Sequence, residues 1–168
     1  MTAIIDDLLA LSQVGRGGLR RDTVNLTAIT RRIVDDLRVR DPSRIVEVSV
    51  RDGLATTGDG RLVTIALENL LSNAWKFTSK RPRAEIVIDR EADGVFTVRD
   101  NGAGFDMAHS ERLFEPFQRL HGTAEFAGTG IGLAIVRRII ERHGGRVWAQ
   151  GVVDAGATVR FTLEPGAG

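Results

Sequence analysis

Cysteine is absent from this 168-residue sequence, so neither a disulfide framework nor a thiolate metal site can form, and a reducing cytoplasm is a compatible location. An excess of either charge is also missing. The 23 Lys and Arg nearly balance the 22 Asp and Glu, leaving a formal charge of +1 with the signs intermixed. That argues against the clustered basic face that attracts nucleic acid or anionic membrane. No apolar run approaches the roughly 18 residues needed to span a bilayer. The opening "MTAIIDDLLALS" lacks a basic leader and is interrupted by Asp6 and Asp7, so it is not a signal peptide. These absences predict a soluble, cytoplasmic chain with no nucleic-acid or membrane contact, whose partners are recognised by a site and not by net charge. With 42% apolar and 27% charged residues, the rest of the composition is that of one globular domain. Such a chain buries about 70% of its unfolded surface.

Periodicity divides the chain. Ile4, Ile5, Leu8, Leu11 and Val14 recur at helical spacing over 3–14, and "GRGG" ends that helix; so short a helix needs a partner helix or a second copy. Thr23 to Asn25 is extended. A helix follows over 26–40, capped by Asn25 or Thr27 and stopped by Asp41-Pro42. "IVEVSV" (45–50) alternates as a strand, a turn-rich stretch holds Gly53, Gly58 and Gly60, and residues 61–77 form a second helix. Strands at 84–90 and 94–100 are joined by a hairpin around Asp93-Gly94. From Asn101 to Thr129 the chain is irregular apart from a short helical piece around "SERLFEPF", and a loop this long in a compact domain is usually functional or disordered. A helix at 130–145, capped by Gly144 or Gly145, and a closing hairpin in "RVWAQGVVDAGATVRFTLE" complete the pattern. Helices and strands alternate without strict βαβ order. The expected fold is an α/β two-layer sandwich, one mixed sheet with helices on one face.

Three features carry chemistry. In "ENLLSNAWKF" (68–77), Asn69, Asn73 and Lys76 fall at i, i+4 and i+7, a narrow polar stripe beside the apolar face of Leu67, Leu70, Ala74 and Phe77. Each helical Asn costs a few tenths of a kcal/mol, roughly, because its amide competes for backbone hydrogen bonds. "DNGAGF" (100–105) sets an aspartate at a strand end beside Gly102 and Gly104, where a carboxylate acceptor could read an exocyclic amine. "GTGIGLAIV" (128–136) opens a helix, where backbone amides and the helix dipole favour phosphate. An Asn carbonyl suits Mg²⁺ already bridging phosphates, and Lys76 suits phosphate as a point charge. Each feature alone has a plainer reading: a turn before a helix, or an Asn bonded to local backbone. Competing glycine motifs fail. No G-x-x-x-x-G-K-[ST] is present, and neither glycine cluster has the placement of a dinucleotide fingerprint.

In this order, "ENLLSNAWKF", "DNGAGF", "LFEPF" and "GTGIGLAIV" resemble the N, first glycine, F and second glycine boxes of the ATP-binding catalytic domain of bacterial sensor histidine kinases. That family sits within the gyrase, chaperone, histidine kinase and mismatch-repair ATPase superfamily. The resemblance spans residues 23–164, and "NAWKFTSKRPRAEI" and "RDNGAGFDM" are also similar to phytochrome-type and PAS-linked kinases. It implies a Bergerat-type fold over 23–168 with a mobile lid between Asp106 and Ala127, binding ATP and Mg²⁺. Residues 1–22 would be the tail of a dimerisation-hairpin helix and a linker. By the same resemblance Asn73 ligates Mg²⁺, Asn69 and Lys76 contact phosphates, Phe77 borders the adenine, and Phe105 is among the ATP-binding residues. Asp100 accepts the adenine amine, with Gly102 and Gly104 letting the ring approach. Arg119 reaches the terminal phosphate, Gly128, Gly130 and Gly132 end the lid and cradle the triphosphate, and Thr129, Ile131 and Leu133 beside them are ATP-binding. Asn69, Lys76 and Arg119 form the catalytic set.

Asn69 stands where the ATP-hydrolysing and serine-phosphorylating branches of the superfamily carry a glutamate base. An amide cannot take a proton, so it suits an acceptor with its own lone pair, such as neutral histidine. Glu68 is adjacent but about 100° away around a helix. Phe114 and Phe117 have a core reading beside a lid-docking one. His109, His121 and His143 are the only histidines, none in an H-[DE]-x-[KR]-x-P setting. His143 reads as a helix C-terminal residue whose charge would favour the dipole. The implied phosphoacceptor is therefore on a separate hairpin of the same kinase, phosphorylation in cis is not expected, and the further implied partners are a response regulator and a second protomer of a full-length homodimer. Two rivals stand: an anti-sigma-type switch kinase or degenerate nucleotide-gated module, and an ATPase clamp fragment.

Overall fold

The computed structural model describes residues 18–115 and 131–163, together with Ile5, Leu9 and Ser12. Most of the predicted opening helix, and residues 116–130 of the long loop, therefore lie outside the described residues. Strand β1 (Asp22–Asn25) leads into helix α1 (Leu26–Arg40), whose cap is Asn25, its side chain accepting from the Ala28 N–H; Asp41 ends the helix. Strand β2 (Val46–Val50) follows, then β3 (Ala55–Gly58) and helix α2 (Gly60–Phe77). Strands β4 (Ala84–Arg90) and β5 (Phe96–Asp100) come next, then helix α3 (Gly132–Arg142) and strands β6 (Val147–Val152) and β7 (Gly156–Phe161).

The main sheet runs β2-β4-β5-β7-β6, parallel at β2–β4 and antiparallel elsewhere, so it is mixed as expected. Ala84, Ile86 and Ile88 alternate with more exposed neighbours along β4, and Ile88 pairs with Val98 of β5. This face meets Leu67, Leu70, Leu71 and Ala74 of α2 and Ile135, Ile139 and Ile140 of α3 in one apolar core. Each of these Leu and Ile side chains contributes about 1.5–3 kcal/mol by leaving water. Phe96 and Phe161 stack at 5.6 Å between ring centroids across β5 and β7. Among the described residues no helix is long and apolar enough to cross a membrane.

Three boundaries differ from expectation. The stretch around Gly58 contains β3, which pairs antiparallel with β1, Asp22 opposite Gly58 and Asn25 opposite Ala55. A four-residue strand stabilised by a partner thirty residues away leaves little local pattern. Helix α3 begins at Gly132, and Gly144 supplies the left-handed cap at φ 81°. The helical turn in the long loop is a 3₁₀ segment at Met107–Arg112, starting three residues before "SERLFEPF" and overlapping its first three, because Asp106 caps it by accepting from the Ala108 N–H.

Candidate functional site

Helix α2 is capped by buried Asp59, whose carboxylate accepts from the Arg61 and Leu62 N–H groups. Its polar stripe is half-buried at Asn69, Asn73 and Lys76, whereas Glu68 is exposed. Asn69 Nδ2 donates to the Ile65 carbonyl at 2.9 Å, satisfying the amide within the helix. Its Oδ1 faces α3: a Cβ added to Gly132 would lie 2.9 Å from it. Asn69 and Gly132 are therefore in contact, which requires a residue without a side chain at the start of α3. Asn73, one turn on, makes no hydrogen bond to the described residues, so its carbonyl oxygen is open to a ligand. Lys76 Nζ stands 5.1 Å from the Phe77 ring centroid, a cation–π distance.

The other end of α2 meets the loop after β5. Phe96 and Val98 point to the helices, so period-two alternation puts Asp100 on the same face at the strand end, opposite Ala157 of β7. The Gly102 N–H donates to Asp100 Oδ1 at 2.8 Å, and the Ala157 N–H also bonds this carboxylate. Burial outweighs both bonds and pushes the Asp100 carboxyl up to about 6. Neither glycine of this loop tolerates a side chain. A Cβ on Gly102 would lie 2.4 Å from the Phe77 carbonyl oxygen, and one on Gly104, at φ +65°, 1.9 Å from that of Val152. The Ala103 N–H donates to the Phe77 carbonyl at 3.0 Å, so α2 and this loop are bonded directly.

Helix α2 thus touches one glycine segment near Asn69 and the other at Phe77. The two contacts are eight residues, about 12 Å, apart along the helix. Of the second glycine segment, Ile131 is fully buried and Leu133 packs between the main core and a second apolar cluster. Gly128, Thr129, Gly130 and Arg119 lie outside the described residues, as do Phe117 and His121. Phe105 and Phe114 are buried with Ala149 in the second cluster, and Phe105 packs on Gly151. For Phe114 this is the core reading.

Residues not singled out in the sequence complete the surroundings. Arg81, in the turn after α2, bonds three backbone carbonyls, those of Asn101 (2.8 Å), Gly102 (3.1 Å) and Asp154. Asn101 accepts from the Glu85 N–H and donates to the Arg83 carbonyl. Long-range side-chain contacts of this kind leave no periodic signal. The charged reading of His143 is corrected. It is fully buried, Nδ1 donates to the Ile139 carbonyl at 2.7 Å, and Nε2 accepts from the Asp59 N–H at 3.0 Å. Only the neutral ring can make both bonds.

A mixed sheet under helices, with glycine segments against the middle and the C-terminal end of one Asn-bearing helix, is the arrangement of a nucleotide-binding ATPase fold. Residues 58–167 match the family model described as histidine kinase-, DNA gyrase B- and HSP90-like ATPase, and the chain belongs to that family. Its likenesses include histidine kinases. It is 38% identical over 169 residues to cyanobacterial phytochrome A of a Nostoc species, covering 99% of this chain and 22% of that protein. It is also 38% identical over 167 residues to the methanogenesis regulatory histidine kinase FilI of Methanothrix harundinacea, covering 97% of the chain and 19% of that protein. The chain therefore spans about a fifth of these relatives' length. Among solved structures, full-length ShkA in complex with AMPPNP superposes with a TM-score of 0.76 at 25% identity, over 94% of this chain and 34% of that one. The catalytic domain of histidine kinase ThkA, in a nucleotide-free form, gives 0.70 at 23% identity, over 87% and 97%.

Proposed function

We propose that this chain binds Mg·ATP along α2 and donates the γ-phosphoryl group to a histidine on a separate dimerisation hairpin of the same kinase, in the cytoplasm, for onward transfer to a response regulator. One observation carries the reading: α2 contacts the second glycine segment at Asn69–Gly132 and the first at Phe77–Gly102, which spaces a phosphate end from a base end. The AMPPNP bound to ShkA, a structural neighbour over most of this chain, supports it. At the base end, desolvated Asp100 accepts from the adenine amine, with Phe77 and Phe105 bordering the site and Gly102 and Gly104 keeping it open. At the phosphate end the proposed contacts to phosphate oxygens are Asn69, Lys76 and Arg119, with Gly128, Thr129, Gly130, Ile131, Gly132 and Leu133 of the second glycine segment as the remaining ATP-binding residues.

The residues present fit magnesium. Asn73 offers an uncommitted neutral oxygen, and among the described residues no cluster of three or more His, Cys, Asp or Glu could hold a metal ion without a nucleotide. When bound, the metal supplies charge neutralisation at the phosphates. The chain's own contribution is positioning, and a neutral histidine needs no base to attack phosphorus.

Asp100→Ala removes a charge-assisted acceptor worth about 1.5–3 kcal/mol, so ATP affinity measured by calorimetry falls about 10- to 100-fold. Asn73→Ala abolishes the dependence of that affinity on Mg²⁺. Retained affinity in folded Asp100→Ala sinks the adenine assignment. Mixing the chain with a histidine-bearing hairpin and labelled ATP yields acid-labile phosphate; alkali-labile phosphoserine or free phosphate alone would overturn the kinase reading.

A further inference from the structure

The loop Asn101–Ala103 has to hold Asp100 aimed across the sheet end while carrying two glycines nearby, and its polar backbone is fully accounted for. Its N–H groups go to the Glu85 carbonyl (Asn101, 3.3 Å), Asp100 Oδ1 (Gly102) and the Phe77 carbonyl (Ala103). The Ala103 carbonyl accepts from the Asp154 N–H at 2.7 Å. The two remaining carbonyls, of Asn101 and Gly102, both go to Arg81, through Nε at 2.8 Å and Nη2 at 3.1 Å. The same Nη2 bonds the Asp154 carbonyl in the β6–β7 turn. One guanidinium therefore joins the end of α2, the loop after β5 and the β6–β7 turn, the three segments that surround Asp100. Arginine alone has this reach, because its rigid fork presents several N–H donors at fixed angles, while a lysine ammonium acts as a point charge. The two bonds to the loop are part-buried, so leaving them unmade is costly.

We infer that Arg81 is a positioning residue for base recognition: it clamps the Asn101–Gly102 backbone so that the Asp100 carboxylate stays aimed at the exocyclic amine of the nucleotide, and it touches no part of the nucleotide itself. This rests on the assignment of Asp100 to the base end. Its consequence is selective. Loosening the clamp weakens recognition of the amine and leaves the Asn69–Gly132 contact, eight residues from Phe77 along α2, unchanged.

The test is titration of the whole chain with four ligands: ATP, ADP, adenosine, and the triphosphate of purine riboside, which lacks the amine. In Arg81→Ala, ATP affinity is expected to fall about tenfold, and the preference of ATP over purine riboside triphosphate to shrink toward the value for Asp100→Ala. The ATP-to-ADP ratio stays at the wild-type value. Arg81→Lys, which retains the charge and the bulk, is expected to lie between the two and serves alone if Arg81→Ala does not fold. An unchanged amine preference in either folded variant, or equal weakening of all four ligands, overturns the inference. If Asp100→Ala itself keeps the amine preference, the base-end assignment fails and Arg81 is left as a loop staple, a result distinct from failure of the clamp.

Discussion

Asp100 concentrates the chemistry of the base end in one ionisable group. Desolvation raises its carboxyl from an ordinary 3.8 to about 6 in the folded chain, against the opposing pull of the Gly102 and Ala157 N–H groups. The sign of the pH dependence follows. Below the ordinary value both folded and unfolded chains hold the proton, and between it and about 6 only the folded chain does. The folded state then binds more protons, so stability falls as pH rises across that window and stays lower above it. In the proposed site nucleotide affinity moves the opposite way, since the ionised carboxylate is a stronger acceptor than the protonated acid for the amine N–H. Adenosine, which has no titrating phosphate, is expected to bind more tightly as pH rises through 6, while the difference in urea stability between wild type and Asp100→Ala shrinks. A flat adenosine profile from pH 5 to 7 removes Asp100 from the site. The carboxylate at a strand end was readable from "DNGAGF"; its desolvation was not, because it depends on β7 and on α2 packing over it.

The elements differ in how much of themselves they carry locally. Helix α2 shows its apolar face and its Asn stripe within eighteen consecutive residues, and it forms over nearly the predicted span. Strands β4 and β5 likewise alternate plainly. Strand β3 does not, because its reason to exist is β1, and His143 does not, because its two hydrogen-bond partners are the Ile139 carbonyl and a backbone N–H from a turn eighty-four residues away. Glycines make the same distinction. Gly60, in the first turn of α2, has open space at its Cβ position, so Gly60→Ala is expected to be neutral or stabilising by up to about 1 kcal/mol. Gly104 has a left-handed φ of +65° and a Cβ position overlapping the Val152 carbonyl oxygen. Gly104→Ala therefore forces the loop off β6 and is expected to destabilise by more than about 2 kcal/mol and to weaken ATP binding together with it. Equal urea midpoints for the two variants would show that the close approach is not a constraint.

At the scale of the whole molecule, the question is what a domain spanning about a fifth of its relatives' length does alone. Phosphoryl transfer asks a protein mainly for alignment and charge neutralisation, and both ends of that alignment lie on α2. Hydrolysis asks for more, a carboxylate within reach of the attacking water. Glu68 is the sole acidic residue of α2, exposed and about 100° around the helix from Asn69, whose own amide is turned back onto Ile65. On the proposed reading, with an amide where a hydrolysing site would need a base, bound ATP meets no activated nucleophile until a histidine is presented by another segment. The chain alone is therefore expected to turn over ATP slowly, and Glu68→Gln to leave that rate within about twofold. Adding a histidine-bearing hairpin is expected to convert ATP to ADP in step with acid-labile phosphate on the hairpin. Rapid hydrolysis by the isolated chain, lost in Glu68→Gln, would instead put it with the ATP-driven clamps, and would mean that α2 rotates about its axis from the orientation that sets Asn69 against Gly132.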